Sequence, residues 1–345
     1  MSEQRRFWLR PALRALTATG TAGAILAGAA WVSTAQARDL KMAFFTSPKH
    51  HVWAKLMTRW GNGITAANVG LKVVGFPGGQ IGGKPPGAFK RVVNGIADIE
   101  FGLQGYTSTV FPKTMVVEIP LQWGSPTEAT TALWKIFDKH LASEYARVEV
   151  LGLWTTDVPV LMTNKVVRTP DDLKGLKLRT PSRDQAAIIK GLGAIPVGMP
   201  MPQTYSAIEK GVVDGALVGI SVVNSFKLAE VVKNYVIGLP MGYSPQMMVM
   251  NKKTYAGLSA DQKKAVDAQR GLLLSLKGAR LYEAARAAGI KTVRDRKDTN
   301  ITELSAADKA AWTARFETIV DDWVKRYGKS HPTYQQMLAD YLAKG

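Results

Sequence analysis

The sequence predicts an α/β protein of two lobes, each an open sheet flanked by helices, with a ligand cleft between them. Three observations carry this reading. The 345 residues suit about two domains of ordinary size. Two separate runs read β-α-β-α-β, the first opening at Leu40 and the second at Leu173, and such runs imply two sheets with right-handed crossovers. Two junctions also share their punctuation. Asn94-Gly95-Ile96-Ala97-Asp98 and Lys210-Gly211-Val212-Val213-Asp214 each run helix end, glycine, two apolar residues, aspartate, strand, which points to internal structural duplication. In open sheets of this kind, ligands sit outside the carboxyl ends of the strands.

The elements follow in order. Residues 1–37 have a basic start, an apolar small-residue middle and a small-x-small end at Ala35-Gln36-Ala37, the pattern of an export signal. Arg5-Arg6 before Phe7-Trp8-Leu9 suits the twin-arginine route, and a general secretion signal that happens to hold two arginines fits as well. Leu40–Phe45 alternates as a strand. Val52, Leu56 and Trp60 have helical spacing, and Leu71–Gly79 is a second strand closed by Pro77 and Gly78. A helix ends at Gly95, a good left-handed cap residue, and Ile96–Gly102 is the third strand.

The second run repeats the plan. Leu173–Arg179 is a strand, and Ser182 with Gln185 fits a capping box for the helix that follows. Ala194–Pro200 is a short strand, Gln203–Gly211 a helix and Val212–Gly219 a strand. Glu149–Lys165 and Asn234–Lys253 are the stretches able to cross between lobes. Ser259 and Gln262 open a long helix expected to reach Gly289, and a last amphipathic helix carries Trp312, Phe316, Ile319 and Trp323 on one face.

Composition narrows the chemistry. The chain has no cysteine, which excludes disulfides, thiolate metal sites and thiol nucleophiles. His50, His51, His140 and His331 show no metal-ligand spacing, so no metal or other cofactor is expected. The net charge of +18 is spread along the whole chain. Nucleic-acid binders gather Lys and Arg into a stripe, so a solvated basic surface is the expectation; its field also draws in small anions. Gly78–Lys84 has the glycine and lysine spacing of a phosphate loop, but Pro85 and Pro86 follow where a hydroxyl residue should hold magnesium. It reads as a glycine-rich turn. No Gly-x-Ser-x-Gly elbow and no Gly-x-Gly-x-x-Gly after a first strand occur.

Arg179 stands at the carboxyl end of its strand, where Pro181 stops it. A guanidinium presents parallel N–H groups matched to a carboxylate, a geometry lysine cannot copy. A surface arginine, or one paired with Asp171 or Asp172, fits the sequence too.

Phe76–Gly83, Asn94–Gly102, Arg168–Ser182, Leu192–Gly215 and Tyr243–Val266, in this order and spacing, resemble the substrate-binding proteins of tripartite ATP-independent periplasmic (TRAP) transporters of the dicarboxylate-binding type. The resemblance implies a two-lobed periplasmic-binding-protein fold, with crossing strands and a long helix joining the lobes. It also implies capture of an organic acid anion between the lobes, delivery to a small and a large integral membrane subunit, and a periplasmic location after removal of the signal near Ala37. The arginine at the position of Arg179 grips the ligand carboxylate in that family. The expected division is 38–154 plus 243–285 for the first lobe and 155–242 plus 286–345 for the second.

Departures from the family pattern shape the expected ligand. No second arginine follows the first crossing strand; Asp157 and Pro159 occupy that region. Leu217 and Val218 stand where a polar residue is common, and Met201 where an aromatic is common. Loss of polar partners suits an apolar ligand body, because sugar hydroxyls would lose water without replacement. Phe45, Tyr106, Trp123 and Trp154 are candidates to wall the site, and each fits a plain core role as well. The expected ligand is a monocarboxylate with an aromatic or branched apolar part, ahead of a C4-dicarboxylate and a 2-oxo acid. No enzymatic function and no nucleic-acid partner are expected. The rivals are a secreted enzyme using the same cleft and a binding protein coupled to a sensor.

Overall fold

The computed structural model describes residues 37–330 and 333–343. The export segment therefore lies, except for Ala37, outside the described residues, as does His331. Eleven strands follow in chain order: β1 Arg38–Ala43, β2 Leu71–Phe76, β3 Ile99–Leu103, β4 Val148–Thr155, β5 Pro159–Thr163, β6 Lys177–Thr180, β7 Ile195–Gly198, β8 Gly215–Gly219, β9 Asn234–Ile237, β10 Pro245–Asn251 and β11 Asn300–Glu303. They form two sheets, ordered β2-β1-β3-β10-β4 and β11-β9-β5-β8-β6-β7.

Read from opposite ends, the two sheets have one plan. β2, β1 and β3 pair in parallel, as do β7, β6 and β8. Beside the third strand of each trio lies an antiparallel strand, β10 on β3 and β5 on β8. Beyond it comes a further antiparallel strand, β4 or β9. β5 enters the second sheet straight from β4 of the first, and β10 enters the first from β9 of the second. Each lobe thus completes its sheet with a strand that has just crossed from the other.

The repeated junction is repeated in its hydrogen bonds. The Asp98 amide donates to the Lys41 carbonyl at 3.0 Å, and its Oδ2 accepts from the Lys41 amide at 2.9 Å. The Asp214 amide donates to the Lys177 carbonyl at 2.8 Å, and its Oδ2 accepts from the Lys177 amide at 2.8 Å. Gly95 and Gly211, with φ of +73° and +68°, supply the left-handed turn that each helix end needs.

The helix expected from Ser259 to Gly289 is two helices. The Ser259–Gln262 capping box forms with both of its bonds, but that helix ends at Asp267. Gly271, at φ +79°, restarts the chain as the Leu272–Arg294 helix, which runs past Gly289. This helix packs on β4 and on the Pro126–Lys135 helix of the first lobe, and then on the Ile220–Val222 turn of the second. It joins the two halves through glycine contacts: a side chain at Gly289 would overlap the Ile220 carbonyl.

The amphipathic stripe of the Ala306–Ser330 helix behaves as its spacing predicts, with Trp312, Phe316, Ile319 and Trp323 buried. The sequence reading places all of 286–345 with the second lobe. The final helix, Tyr334–Leu342, packs on both the Ala306–Ser330 helix and the Pro126–Lys135 helix beside the first sheet, and Asp340 meets Lys139 and His140 at 2.7 Å each.

Trp154 is a core residue. It sits on β4, the edge strand of the first sheet, under the Leu272–Arg294 helix and fully buried. Gly278 is what lets that helix approach: a Cβ there would stand 2.7 Å from the indole Cδ2 and 2.8 Å from Cγ. Gly278→Ala is therefore expected to destabilise the fold by about 1–3 kcal/mol through overpacking, although alanine is the better helix former. Denaturant unfolding of the variant beside the parent checks this, and an unchanged or raised midpoint would show that the helix shifts freely.

Candidate functional site

A cavity of ≈ 540 Å³ of empty space, its mouth included, lies between the two sheets. The first lobe contributes an aromatic wall. Phe45 packs on Phe101 with centroids 5.4 Å apart and edge-on to Tyr106 at 6.0 Å. The second lobe contributes Met201, Leu217, Val218 and Phe226. The floor is polar and comes from the crossings: Thr156 and Asp157 from the first, Ser244 and Gln246 from the second, with Tyr282 of the connecting helix donating to Gln246 Oε1 at 2.8 Å. The Thr156 amide donates to the Ser244 carbonyl at 3.0 Å, and the Ser244 amide to Thr156 Oγ1 at 3.2 Å, so the two crossings hold each other. The lobes touch across the cavity where the Met201 amide donates to the Tyr106 hydroxyl at 3.0 Å.

Arg179 enters from the end of β6, and it is 2 % exposed. Leu178 before it is fully buried, and Pro181 stops the strand as the spacing predicts. Nε donates to the Met199 carbonyl at 3.0 Å, which fixes the plane of the guanidinium. Nη2 is buried with no acceptor in the described protein. Desolvation lowers the pKa of Arg179, opposed by the neighbouring Tyr106 hydroxyl and Glu118. Asp171 and Asp172, the partners the sequence left open, are engaged elsewhere: Asp171 meets Arg315 at 3.4 Å, and Asp172 caps the turn at Thr169.

Glu118, from the Thr114–Glu118 turn, is the carboxyl near Arg179. Its Oε2 accepts from Ser182 Oγ at 2.6 Å, while Oε1 is buried and unpartnered. Burial, reinforced by Asp184, pushes its pKa up to about 8, so it is largely neutral at neutral pH. Ser182 in turn caps the Arg183–Gly191 helix by accepting from the Gln185 amide at 2.9 Å. The capping box expected there is only half made, because the Gln185 side chain accepts from Thr180 instead.

His50 also lines the cavity. Its Nδ1 accepts from the Val52 amide at 3.2 Å, and burial followed by the charge of His51 pushes its pKa well down. It is neutral, stacked on His51 at 4.3 Å and edge-on to Phe226 of the second lobe at 6.0 Å. Among the described residues no group of His, Asp or Glu is placed to hold a metal ion.

Five of the seven residues singled out in the sequence come together here: Arg179, Phe45, Tyr106, Met201 and Val218. Trp154 and Trp123 do not. Trp154 is taken up by the connecting helix, and Trp123 packs edge-on to Tyr341 of the final helix at 5.5 Å. Phe101, Phe226, Tyr282 and the Asp157–Ser221 pair escaped the sequence reading. Asp157 was read only as a missing arginine; its place directly before the crossing into β5 was the available signal.

Comparison with known proteins agrees with this geometry. Residues 45–326 match the family of bacterial extracellular solute-binding proteins, family 7. The chain belongs to this family. A TRAP solute-binding protein from a marine metagenome, an unidentified microbe, specific for aromatic acid ligands and solved with 3-hydroxybenzoate, is 30 % identical with a TM-score of 0.84, covering 89 % of this chain and 97 % of that one. One from Rhodoferax ferrireducens T118, solved with copurified benzoate, is 29 % identical with a TM-score of 0.84, covering 88 % and 96 %. The 2,3-diketo-L-gulonate-binding periplasmic protein of Escherichia coli is 29 % identical over 70 % of this chain and 75 % of its own. The protein is thus a TRAP solute-binding protein with the two-lobed α/β fold of that family. Such proteins bind small organic acids, work with membrane subunits and are periplasmic. No helix among the described residues is long and apolar enough to cross a membrane.

Glu118 makes the fold sensitive to pH with a definite sign. Its carboxyl titrates near 4.5 when unfolded and near 8 when folded. Between those values the folded chain keeps a proton that the unfolded chain has released, so stability from this group is full below the lower value and is lost as pH rises through the upper. The loss is about 1.4 kcal/mol per pH unit at most. Glu118→Gln cannot ionise, so its melting temperature should gain on the parent steadily from mildly acidic to mildly alkaline buffer. A gap that stays constant across that range would place the titration elsewhere.

Proposed function

We propose that this protein captures a monocarboxylate with an aromatic or branched apolar body and delivers it to a pair of TRAP membrane subunits. It acts in the periplasm after removal of the export segment near Ala37, by the twin-arginine or the general secretion route, and it performs no chemistry on its ligand. The reading rests on one observation above all: Arg179 is buried and fixed in plane, with an unpartnered Nη2 in a largely apolar cavity. Leaving a buried charged donor unmatched is costly, and a ligand carboxylate relieves that cost with charge-assisted hydrogen bonds. The aromatic ligands of the metagenomic and Rhodoferax proteins support the same reading.

The apolar body then lies between Phe45, Phe101 and Tyr106 on one side and Met201, Leu217 and Val218 on the other. A hydroxyl-rich sugar acid would have to give up water against these walls without equal replacement. Capture works by hinge closure. The second lobe brings Arg179 and the first brings the aromatic wall, so only the closed form makes both sets of contacts, and the ligand stabilises it by that difference.

Calorimetry tests this directly. Benzoate or isovalerate should bind, and galacturonate should bind far more weakly. Arg179→Ala should weaken binding by at least about 100-fold, and Arg179→Lys by at least about tenfold, because charge without the planar fork restores only part of the contact. Full affinity in the alanine variant would refute the carboxylate assignment.

A further inference from the structure

The cavity holds a second fixed charge, and its sign is opposite to that of Arg179. Asp157 is fully buried in the segment that links β4 to β5, and it lines the cavity. Both of its oxygens are held. Oδ1 accepts from Ser221 Oγ at 2.6 Å, and Oδ2 accepts from the Ser221 amide at 3.1 Å. Arg286 Nη1 stands 3.8 Å from Oδ2 and donates to the Val158 carbonyl at 3.1 Å. Gly219 makes room: any side chain there would overlap Asp157 Oδ1. Burial raises its pKa to about 6, opposed by Ser221 and Arg286, so the carboxylate is mostly ionised at neutral pH and above.

Asp157 and Arg179 have separate partners. The charged or polar groups acting on Arg179 are Tyr106 and Glu118, whereas those acting on Asp157 are Ser221 and Arg286. Of the cavity-lining residues, Arg179 and Asp157 are the two that carry charge at neutral pH, since His50 is neutral.

We infer that Asp157 is a specificity residue that makes the site a filter for monoanions, rejecting a second carboxylate on the ligand. The inference rests on the reading that Arg179 holds the first carboxylate. With that position taken, a second carboxylate has no free cation among the lining residues and meets an immobilised anion that Arg286, 3.8 Å from Oδ2, offsets only in part. Asp157 is itself clamped by Ser221 and fully buried, so it acts on the ligand through its charge. The ligand class is therefore a monocarboxylic acid, and dicarboxylic acids of the same skeleton are excluded.

The test compares matched acids by calorimetry on the purified protein at neutral pH, where Asp157 is mostly ionised and Glu118 is not. Benzoate, 3-hydroxybenzoate and isophthalate share one ring and differ in one substituent. The parent protein should bind benzoate and 3-hydroxybenzoate, and isophthalate at least about tenfold more weakly than benzoate. Asp157→Asn keeps the shape and removes the charge, and it should narrow the gap between isophthalate and benzoate at least about tenfold. Isophthalate binding the parent as tightly as benzoate would overturn the inference, whether or not the variant folds. So would a folded variant that leaves the gap unchanged, since a purely structural Asp157 would not set that ratio. The aliphatic pair isovalerate and glutarate separates this inference from the aromatic reading. Binding of isovalerate but of neither benzoate nor glutarate would end the aromatic preference and leave the filter standing, whereas preference for glutarate would end the filter.

Discussion

The constraint on which the rest of this structure depends is a guanidinium that folding removes from water without giving it a full set of partners. Arg179 has Met199 on one edge and the Tyr106 hydroxyl nearby, and its Nη2 is left open. Glu118 is the residue positioned to neutralise it, yet burial and the neighbouring Asp184 keep its proton on through neutral pH. Had Glu118 been ionised, it would compete with every anionic ligand for Arg179. Its neutrality leaves the cation's attraction for the ligand. The same low dielectric that makes an unmatched Arg179 expensive makes a matched one strong, so cost and affinity have a single origin.

The topology explains why the two charged residues of the cavity lie where they do. Each lobe is a trio of parallel strands, and Arg179 stands at the carboxyl end of the central strand of its trio. Each trio is completed by a strand arriving from the other lobe, so the crossings necessarily pass beneath the space between the sheets. Asp157 sits in one of these crossings and is held there by Ser221 of the second lobe and Arg286 of the connecting helix. A residue in a crossing is displaced little when the lobes rotate about it. A charge meant to screen ligands before and during closure is best carried there, while Arg179, the proposed carboxylate anchor, and the aromatic wall travel on the lobes.

Much of the fold was legible from local pattern. Period-two strands, glycine-ended helices and the repeated aspartate junctions all fold as their spacing implies, because short-range sterics and hydrogen bonding decide them. Long-range packing decides what was not legible. The long C-terminal helix breaks at Gly271, where an uninterrupted helical pattern in the sequence conceals a left-handed residue. The final helix docks on the first lobe through Tyr341 and Asp340, contacts that no periodicity encodes. In the site, Arg179 was legible because Pro181 marks the strand end. The aromatics divided by which element covers them: Phe45 and Tyr106 face the cavity, whereas Trp154 lies under Gly278 and Trp123 against Tyr341. Side-chain type alone cannot separate those outcomes.

The surface and the cavity of this protein carry different electrostatic tasks. The chain's net charge of +18 creates a field that favours approach of any anion, and at physiological ionic strength that field fades within about 8 Å of the surface. It draws dianions more strongly than monoanions, so if surface attraction decided selection, dicarboxylates would win. In the proposed filter the cavity reverses this order: its lining pairs one cation with one anion, and a neutral histidine adds nothing to either side. Attraction is therefore general and outside, and discrimination is specific and inside. The neutral histidine, the protonated Glu118 and the clamped Asp157 then have a common effect. Each keeps the interior from becoming a continuation of the basic surface, which is what the proposed selection of a single carboxylate requires.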